Sequence, residues 1–371
     1  MRVLALSSYP IDAAATRFRV AQFVEPLRKP GIDLEIKPFL DSEGFKNLYS
    51  SGSSITKLSS MLGGILGRVR ETFDSRNYDL LFVQREAMPV GPGVFEWLYS
   101  KLGRLPMVLD LDDATYVRYV SPTYGRLGSA LKFFGKTDKL IDRSELVICG
   151  NSFIAEYVEG RGTRAVVIPT IVDTDIFKPA ERNNDVPVIG WIGTHSTFPF
   201  LERLLPVLRD LATKHRFVLR VVGSGRERTE FEGLDMQNLP WSLSREVEDF
   251  QSLDIGLYPI DTTGSLDPAW LAGKSGFKAI QYLAVGTPFV MTPVGVCAEI
   301  GEPGRTHFNA ATDEDWYNAL DKLLADRELR NEMGRAGREH SIVNYHLDKH
   351  AKTLTRVLRD VHEERSRGRD D

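Results

Sequence analysis

The sequence predicts an α/β protein of two doubly wound, Rossmann-like lobes, and three observations carry that prediction. Short runs rich in Val, Ile, Leu and Phe alternate with amphipathic helical runs almost from end to end, the pattern of parallel βαβ units. The 371 residues exceed what one ordinary core accommodates and suit two domains. A polar stretch, ERNNDVP, follows Phe177-Lys178-Pro179 and separates two series of strands.

In the first series the spacing predicts strands over 3–6, 80–83, 107–109, 146–148 and 166–168. In the second it predicts strands over 188–192, 217–222, 255–258 and 289–291. The domains follow as 1–178 for the first lobe, 179–345 for the second, and 346–371 for a terminal helix with a frayed tail, HEERSRGRDD.

With 42% hydrophobic and 26% charged residues, the composition is that of an ordinary globular protein. Lys and Arg total 47 against 51 Asp and Glu, for a net charge of −4, which argues against a dedicated nucleic-acid binder. Cys149 and Cys297 lie far apart in apolar, strand-like contexts, so a disulfide framework is not expected and a reducing cytoplasm fits. MRVLALSSYP is a first strand rather than a signal peptide, and no window approaches the roughly 20 apolar residues of a spanning helix.

The most informative stretch is GKSGFKAIQYLAVGTPFV, residues 273–290. Read as a loop entering a helix, it places Lys274, Lys278 and Gln281 on one face, with Phe277, Ile280 and Ala284 on the packed side. A helix N-terminus is a ready anion site, and Gly276, beside Ser275, lets a ligand approach the backbone. Gly286 ends the helix, and Thr287-Pro288 turn into a short apolar strand.

This stretch resembles the nucleotide-sugar site of the family 4 glycosyltransferases, E-x7-E followed by A-x-G-x-P, and matches it at Ala284, Gly286 and Pro288. It departs at the acids, since Gly273 stands at the first and Gln281 at the second; the form here is G-K-x-x-x-K-x-x-Q-Y-x-A-x-G-x-P. The resemblance extends to VVIPTIVDTDIFKP, VPVIGWIGTHS and LRVVGSG, and in the first lobe to DLLFVQRE and MVLDLDDATY. It implies the GT-B arrangement, two lobes facing a cleft, with the last helix crossing back to the first lobe. In the family the second acid holds the ribose hydroxyls, a task a carboxamide can also perform.

Ligands of doubly wound sheets bind beyond the carboxyl ends of the strands, which singles out the residues just after each strand. In the second lobe these are Gly193, His195, Gly223 and Gly225, beside the Lys274 to Gln281 element, as a donor and nucleotide site. GSGRERTE alone is a weak phosphate-loop signal, without a Walker lysine. In the first lobe, Asp110, Asp112 and Asp113 admit three readings: acceptor-binding or catalytic carboxylates, a metal-binding D-x-D, or a helix cap with surface acids. The first is favoured for Asp112 and Asp113. Arg17 and Arg19 share a side if TRFRV is extended, and they are acceptor-side candidates or, equally, surface partners of acids; Arg85, directly after an apolar strand, is the better acceptor-side candidate, because burial there would require a partner. The basic, apolar segment 45–70, with Lys46, Lys57, Arg68 and Arg70, and KFFGK at 132–136 are candidates for peripheral membrane contact or ordinary helices.

The sequence is therefore read as a glycosyltransferase that takes a nucleotide sugar as donor substrate and a glycan or lipid-linked acceptor, with no cofactor and no metal. Lys278 would stabilise the leaving diphosphate, and the resemblance implies retention and a role in surface polysaccharide synthesis. A GT-B nucleotide-sugar epimerase, a phosphorylase, or a non-catalytic sugar-nucleotide-binding subunit are the alternatives. The expected location is the cytoplasm, with or without peripheral attachment to the inner face of the membrane.

Overall fold

The computed structural model describes residues 1–49, 54–118, 131–226, 231–264 and 266–370. The chain divides into two compact units, Met1–Thr170 with Leu347–Asp371, and Ile171–His346.

Among the described residues, the first unit carries a six-stranded parallel sheet of β1 (Arg2–Ser7), β2 (Asp33–Pro38), β3 (Leu80–Gln84), β4 (Met107–Leu111), β5 (Leu146–Cys149) and β6 (Ala165–Val167). Their order is β2-β1-β3-β4-β5-β6. The second unit carries β7 (Val188–Ile192), β8 (Val218–Val222), β9 (Met236–Leu239), β10 (Ile255–Tyr258), β11 (Phe289–Met291) and β12 (Phe308–Asn309), ordered β12-β11-β10-β7-β8-β9. The winding reverses between β1 and β3 in the first sheet and between β7 and β10 in the second, and such reversals open the crevices where α/β sheets bind ligands.

The central strands are uninterrupted apolar runs because helices cover both faces of a parallel sheet. All five residues of β3, β4 and β7 are buried. Leu4, Leu81, Leu109, Val147 and Tyr99 belong to one core of the first unit, and Ile189, Leu208, Leu219, Ile255 and Trp316 to one core of the second. Cys149 and Cys297 are both free and buried.

Gly256 sets how closely the helix Phe277–Ala284 lies on the second sheet. Gly190 of β7 and Gly256 of β10 pair in register. A Cβ on Gly256 would sit 2.6 Å from the Tyr282 ring, and one on Gly190 would collide with Leu253. The tyrosine therefore lies flat against bare backbone, and its hydroxyl donates to Leu257 O at 3.2 Å. Burial of this ring fixes the helix before any ligand arrives.

The observed join differs from the expected one. Residues 171–178 group with the second unit, although the sequence places them in the first. Arg338 draws them there, donating from Nη1 to Phe177 O and from Nη2 to Thr174 O, each at 2.8 Å. Phe177 also stacks edge-on against Phe250, and Gln251 donates to Lys178 O. The chain returns to the first unit at the helix Leu347–Asp370, where Arg359 donates to Pro30 O and Arg164 pairs with Glu364.

Candidate functional site

In the second unit the candidate site is built on two helices in succession. Asp267 caps the short helix Pro268–Ala272 by accepting from Ala269 N at 2.8 Å, and that helix ends at Gly273. The helix Phe277–Ala284 then starts from Gly276, which has φ of 63° and no side-chain cap. This left-handed step suits glycine, and an added Cβ would collide with Ile300. Lys274 therefore stands in the turn between two helices and not on the helical face expected of it. Its ammonium lies 3.7 Å from the centroid of the Trp270 ring.

Lys278, in the first turn of the second helix, donates from Nζ to Gln281 Oε1 at 3.0 Å and lies over the Phe250 ring at 5.1 Å. Gln281 is fully buried, and its Nε2 has no hydrogen-bond partner. The carboxamide oxygen thus holds the Lys278 ammonium within the first turn of the helix. The far end of the helix is closed by Arg182, whose Nη2 donates to Val285 O, Gly286 O and Thr287 Oγ1.

Beside this element, the loops after β7 and β8 meet backbone to backbone. Gly193 N donates to Val222 O at 3.0 Å, and a Cβ on Gly223, with φ of 80°, would collide with Gly193 O. A Cβ on Gly225, with φ of 73°, would stand 2.7 Å from His195 Cβ. The structure thus brings Gly193, His195, Gly223 and Gly225 together, with His195 exposed and all three glycines set by loop packing. Residues 227–230 of GSGRERTE lie outside the described residues, as do 50–53 of the segment 45–70.

In the first unit the carboxyl ends of β3 and β4 hold an arginine between acids. Arg85 directly follows β3 with φ of 61°, an uncommon conformation for a side-chain-bearing residue. Its Nε and Nη2 grip Asp112 as a fork, and Nη2 also donates to Asp113 Oδ2 at 2.7 Å. The Arg85 side chain is 28% exposed, that of Asp112 6% and that of Asp113 34%. Burial acts to raise the Asp112 carboxyl, but the Arg85 guanidinium outweighs it and holds it below the usual carboxylate range. The result is a partly exposed rim of two carboxylates shared by one guanidinium.

The remaining arginines correct the expectation. TRFRV is not extended; it lies in and just after the helix Ala14–Arg19, so Arg17 and Arg19 point to different sides. Arg19 is buried, pairs with Asp110 through Nε and Nη2, and donates to Ile168 O at 2.6 Å. It joins three elements of the fold and offers nothing to an acceptor. Arg17 donates to Ile11 O and Asp12 O of its own loop. Arg68 is also buried, donating to Ala87 O, Ser7 O and Lys37 O, and Lys136 of KFFGK is buried against Glu86 and Met88 O. Neither can touch a membrane. Among the described residues, no group of His, Cys, Asp and Glu side chains has metal-ligand geometry.

Two contributors escaped the sequence reading. Phe250 supplies the ring beneath Lys278 from a separate helix, Glu246–Gln251, and Arg182 comes from the polar stretch read as a linker. The Asp-Pro start and Gly end of the helix before Lys274 were signals in the sequence that would have removed that lysine from the longer helix.

Residues 172–340, nearly all of the second unit, match the family described as glycosyl transferases group 1. Over that segment the chain is similar to the group 1 glycosyl transferases, and its two parallel, Rossmann-like sheets are those of a GT-B fold. The D-inositol 3-phosphate glycosyltransferase of Corynebacterium jeikeium (strain K411) is 25% identical to it over 317 residues, covering 77% of this chain and 73% of that one. Three solved structures share the fold of this glycosyltransferase. Sucrose-phosphate synthase of Thermosynechococcus elongatus superposes with a TM-score of 0.67 at 14% identity, covering 98% of this chain and 100% of that one. A glycosyltransferase of Rickettsia africae ESF-5 gives 0.68 at 14% identity, with 97% and 98% covered. Anabaena HepE, solved in complex with UDP-glucose, gives 0.65 at 14% identity, with 97% and 100% covered.

Proposed function

We propose that this glycosyltransferase moves a sugar from a nucleoside diphosphate donor to a hydroxyl of a glycan or lipid-linked acceptor, with retention, in the synthesis of a surface polysaccharide or glycoconjugate. The observation that carries the reading is the element 273–281, where a left-handed glycine opens a helix flanked by two lysines, inside the segment that matches the family. HepE, of the same fold, binds UDP and UDP-glucose, which supports a nucleotide-sugar donor.

On this reading Lys274, Ser275, Gly276, Phe277 and Lys278 receive the diphosphate, with the loops of Gly193, His195, Gly223 and Gly225 beside them. Positive charge fixed in advance stabilises the leaving group where its charge develops. The bond from the anomeric carbon to the phosphate oxygen breaks, the bond to the acceptor oxygen forms, and the acceptor proton passes to the departing diphosphate. Asp112 and Asp113 orient the acceptor hydroxyl, and Arg85 holds both in place.

Membrane attachment belongs to a different feature from the buried arginine and lysine. Along the helix Ser54–Asp74, Ile55, Leu58, Leu62, Leu66, Val69 and Phe73 are all exposed, at spacings of three and four that make one continuous stripe. With Lys57 and Arg70 on the same helix, the stripe suits the anionic face of a membrane. Among the described residues no helix is long and apolar enough to cross one. Leu62→Glu should release the protein from phosphatidylglycerol vesicles; unchanged co-sedimentation would discard this attachment.

The enzymatic test is incubation with a panel of nucleotide sugars, following release of free nucleotide and, with an acceptor glycan, the anomeric configuration of the product by NMR. Release with one donor and an unchanged anomeric configuration are expected. No release with any donor, or an inverted product, would overturn the donor reading or the stereochemistry respectively.

A further inference from the structure

Gln84 ends β3 at the carboxyl edge of the first sheet, one residue before Arg85. It is 2% exposed, and its Nε2 has no hydrogen-bond partner among the described residues. Side chains alternate along a strand, and Leu81 and Val83 belong to the core on one face, so Gln84 stands on the other. There it lies in register between Ser7 of β1 and Asp110 of β4. Neither neighbour serves the amide. Arg19 occupies Asp110 through Nε and Nη2, and the Ser7 hydroxyl donates to Tyr9 O at 2.9 Å.

An interior amide left unpaired forfeits the hydrogen bonds it had with water, and an apolar side chain of similar volume loses nothing of the kind. The other four residues of β3, Leu80 to Val83, are apolar, as a buried parallel strand requires. Packing alone therefore favours a residue such as methionine at 84. A carboxamide there breaks the local rule, and such breaks belong to functional positions.

The place in the fold supplies the role. β1 and β3 are the pair between which the winding reverses, where doubly wound sheets open to ligands. Arg85 follows directly, with Asp112 and Asp113 in its grip. From Gln84 to Asp112 the backbone path is one strand spacing across and two residues along, about 8 Å between Cα atoms, which one sugar ring and its hydroxyls bridge. The two ends are complementary, since the carboxylates accept and the amide nitrogen donates. The last torsion of a glutamine side chain is broad, so Nε2 turns toward a ligand without movement of the strand. We infer that Gln84, on the assignment of the acceptor to the first unit made above, is a further acceptor-binding residue. Its Nε2 donates to an oxygen of the sugar whose hydroxyl Asp112 and Asp113 orient, so the acceptor group is a sugar rather than a simple alcohol.

The full chain tests this with UDP in excess. Gln84→Met keeps the volume and removes the donor, and Gln84→Asn keeps the donor on a shorter arm. Methyl α-glucoside, methyl α-galactoside and methyl α-mannoside are titrated by saturation-transfer NMR, and the unfolding midpoint is read by scanning calorimetry without sugar. Gln84→Met should raise the midpoint by about 2 °C or more, because it removes an unpaired buried N–H. It should also weaken the glycoside that the parent binds best by about tenfold or more, with Gln84→Asn in between. A part confined to the fold would leave glycoside affinity unmoved. A midpoint unchanged or lowered in Gln84→Met would mean that an internal water already satisfies the amide. That result, equal glycoside affinity in parent and Gln84→Met, or no binding of any probe to the parent overturns the inference. Nucleotide release by the parent separates the two levels: release from one donor beside unmoved glycoside affinity discards Gln84 alone, whereas no release from any donor discards the function proposed above.

Discussion

Replacing Arg85 by alanine isolates the clamp at the carboxyl ends of β3 and β4. The guanidinium meets Asp112, whose side chain is 6% exposed, through a fork, and Asp113, at 34%, through one bond. Losing one partner of a buried ion pair costs about 3–5 kcal/mol, because the other charge stays behind without compensation. Arg85 is itself 28% exposed, which favours the lower end, and the Asp113 contact is open enough to add less than about 1 kcal/mol. The expected loss is therefore about 3 kcal/mol. A left-handed residue with a side chain also carries about 1 kcal/mol of strain that glycine lacks, so Arg85→Gly should lose only about 2 kcal/mol. Scanning calorimetry resolves the two, since a unit of this size shifts its midpoint by about 2–4 °C per kcal/mol. Alanine and glycine variants that both melt within a degree of the parent would refute the idea that this guanidinium compensates a buried charge.

Asp112→Asn and Asp113→Asn keep the shape of the rim and remove its charge; at least one should slow sugar transfer by about 10²-fold, with nucleotide affinity nearly unchanged in calorimetry. Lys278→Ala should weaken nucleoside diphosphate binding by about 1.5–3 kcal/mol, measured by the same titration. Nucleotide release should persist in excess EDTA if, as proposed, two lysines and a helix N-terminus neutralise the diphosphate, and rescue by added magnesium would count against that assignment. His307 is fully buried, and burial pushes its imidazole down to about 4, against a weaker upward pull from Asn309. Below pH 6.5 the unfolded chain takes a proton that the folded one refuses, so stability is complete above 6.5 and should fall by about 3 kcal/mol as the pH drops to 4. Urea titrations should show this slope, flattened in His307→Gln.

The central strands were legible because a parallel strand covered on both faces must be apolar throughout, as Leu80–Gln84 and Val188–Ile192 are. The three unread strands all lie at sheet edges, where one side of the ladder is open and polar residues are tolerated. β2 carries Glu35 and Lys37, β9 carries Gln237 and Asn238, and β12 has two residues. At the site, Gly276 and Lys278 were readable from local helix chemistry. The pairing of Arg19 with Asp110 was not, because 91 residues separate them and only the folded sheet brings them together. The same holds for Phe250 beneath Lys278. Short-range pattern shows where a glycine turn opens a helix, while long-range packing decides which nearby charges remain available beside it.

The return of the helix Leu347–Asp370 to the first unit bears on how the chain acquires its structure during synthesis. The second unit is one unbroken segment, 171–346, and can complete its core as soon as that stretch has left the ribosome. The first unit begins earlier but waits for a helix encoded some 176 residues downstream of its last strand-bearing segment, the length of 171–346. Val357, Leu358 and Val361 of that helix are buried, so until they arrive the nascent lobe exposes the apolar surface that they will cover. The lobe that emerges first is thus the last to finish, and in the interval its uncovered apolar surface is the one open to aggregation.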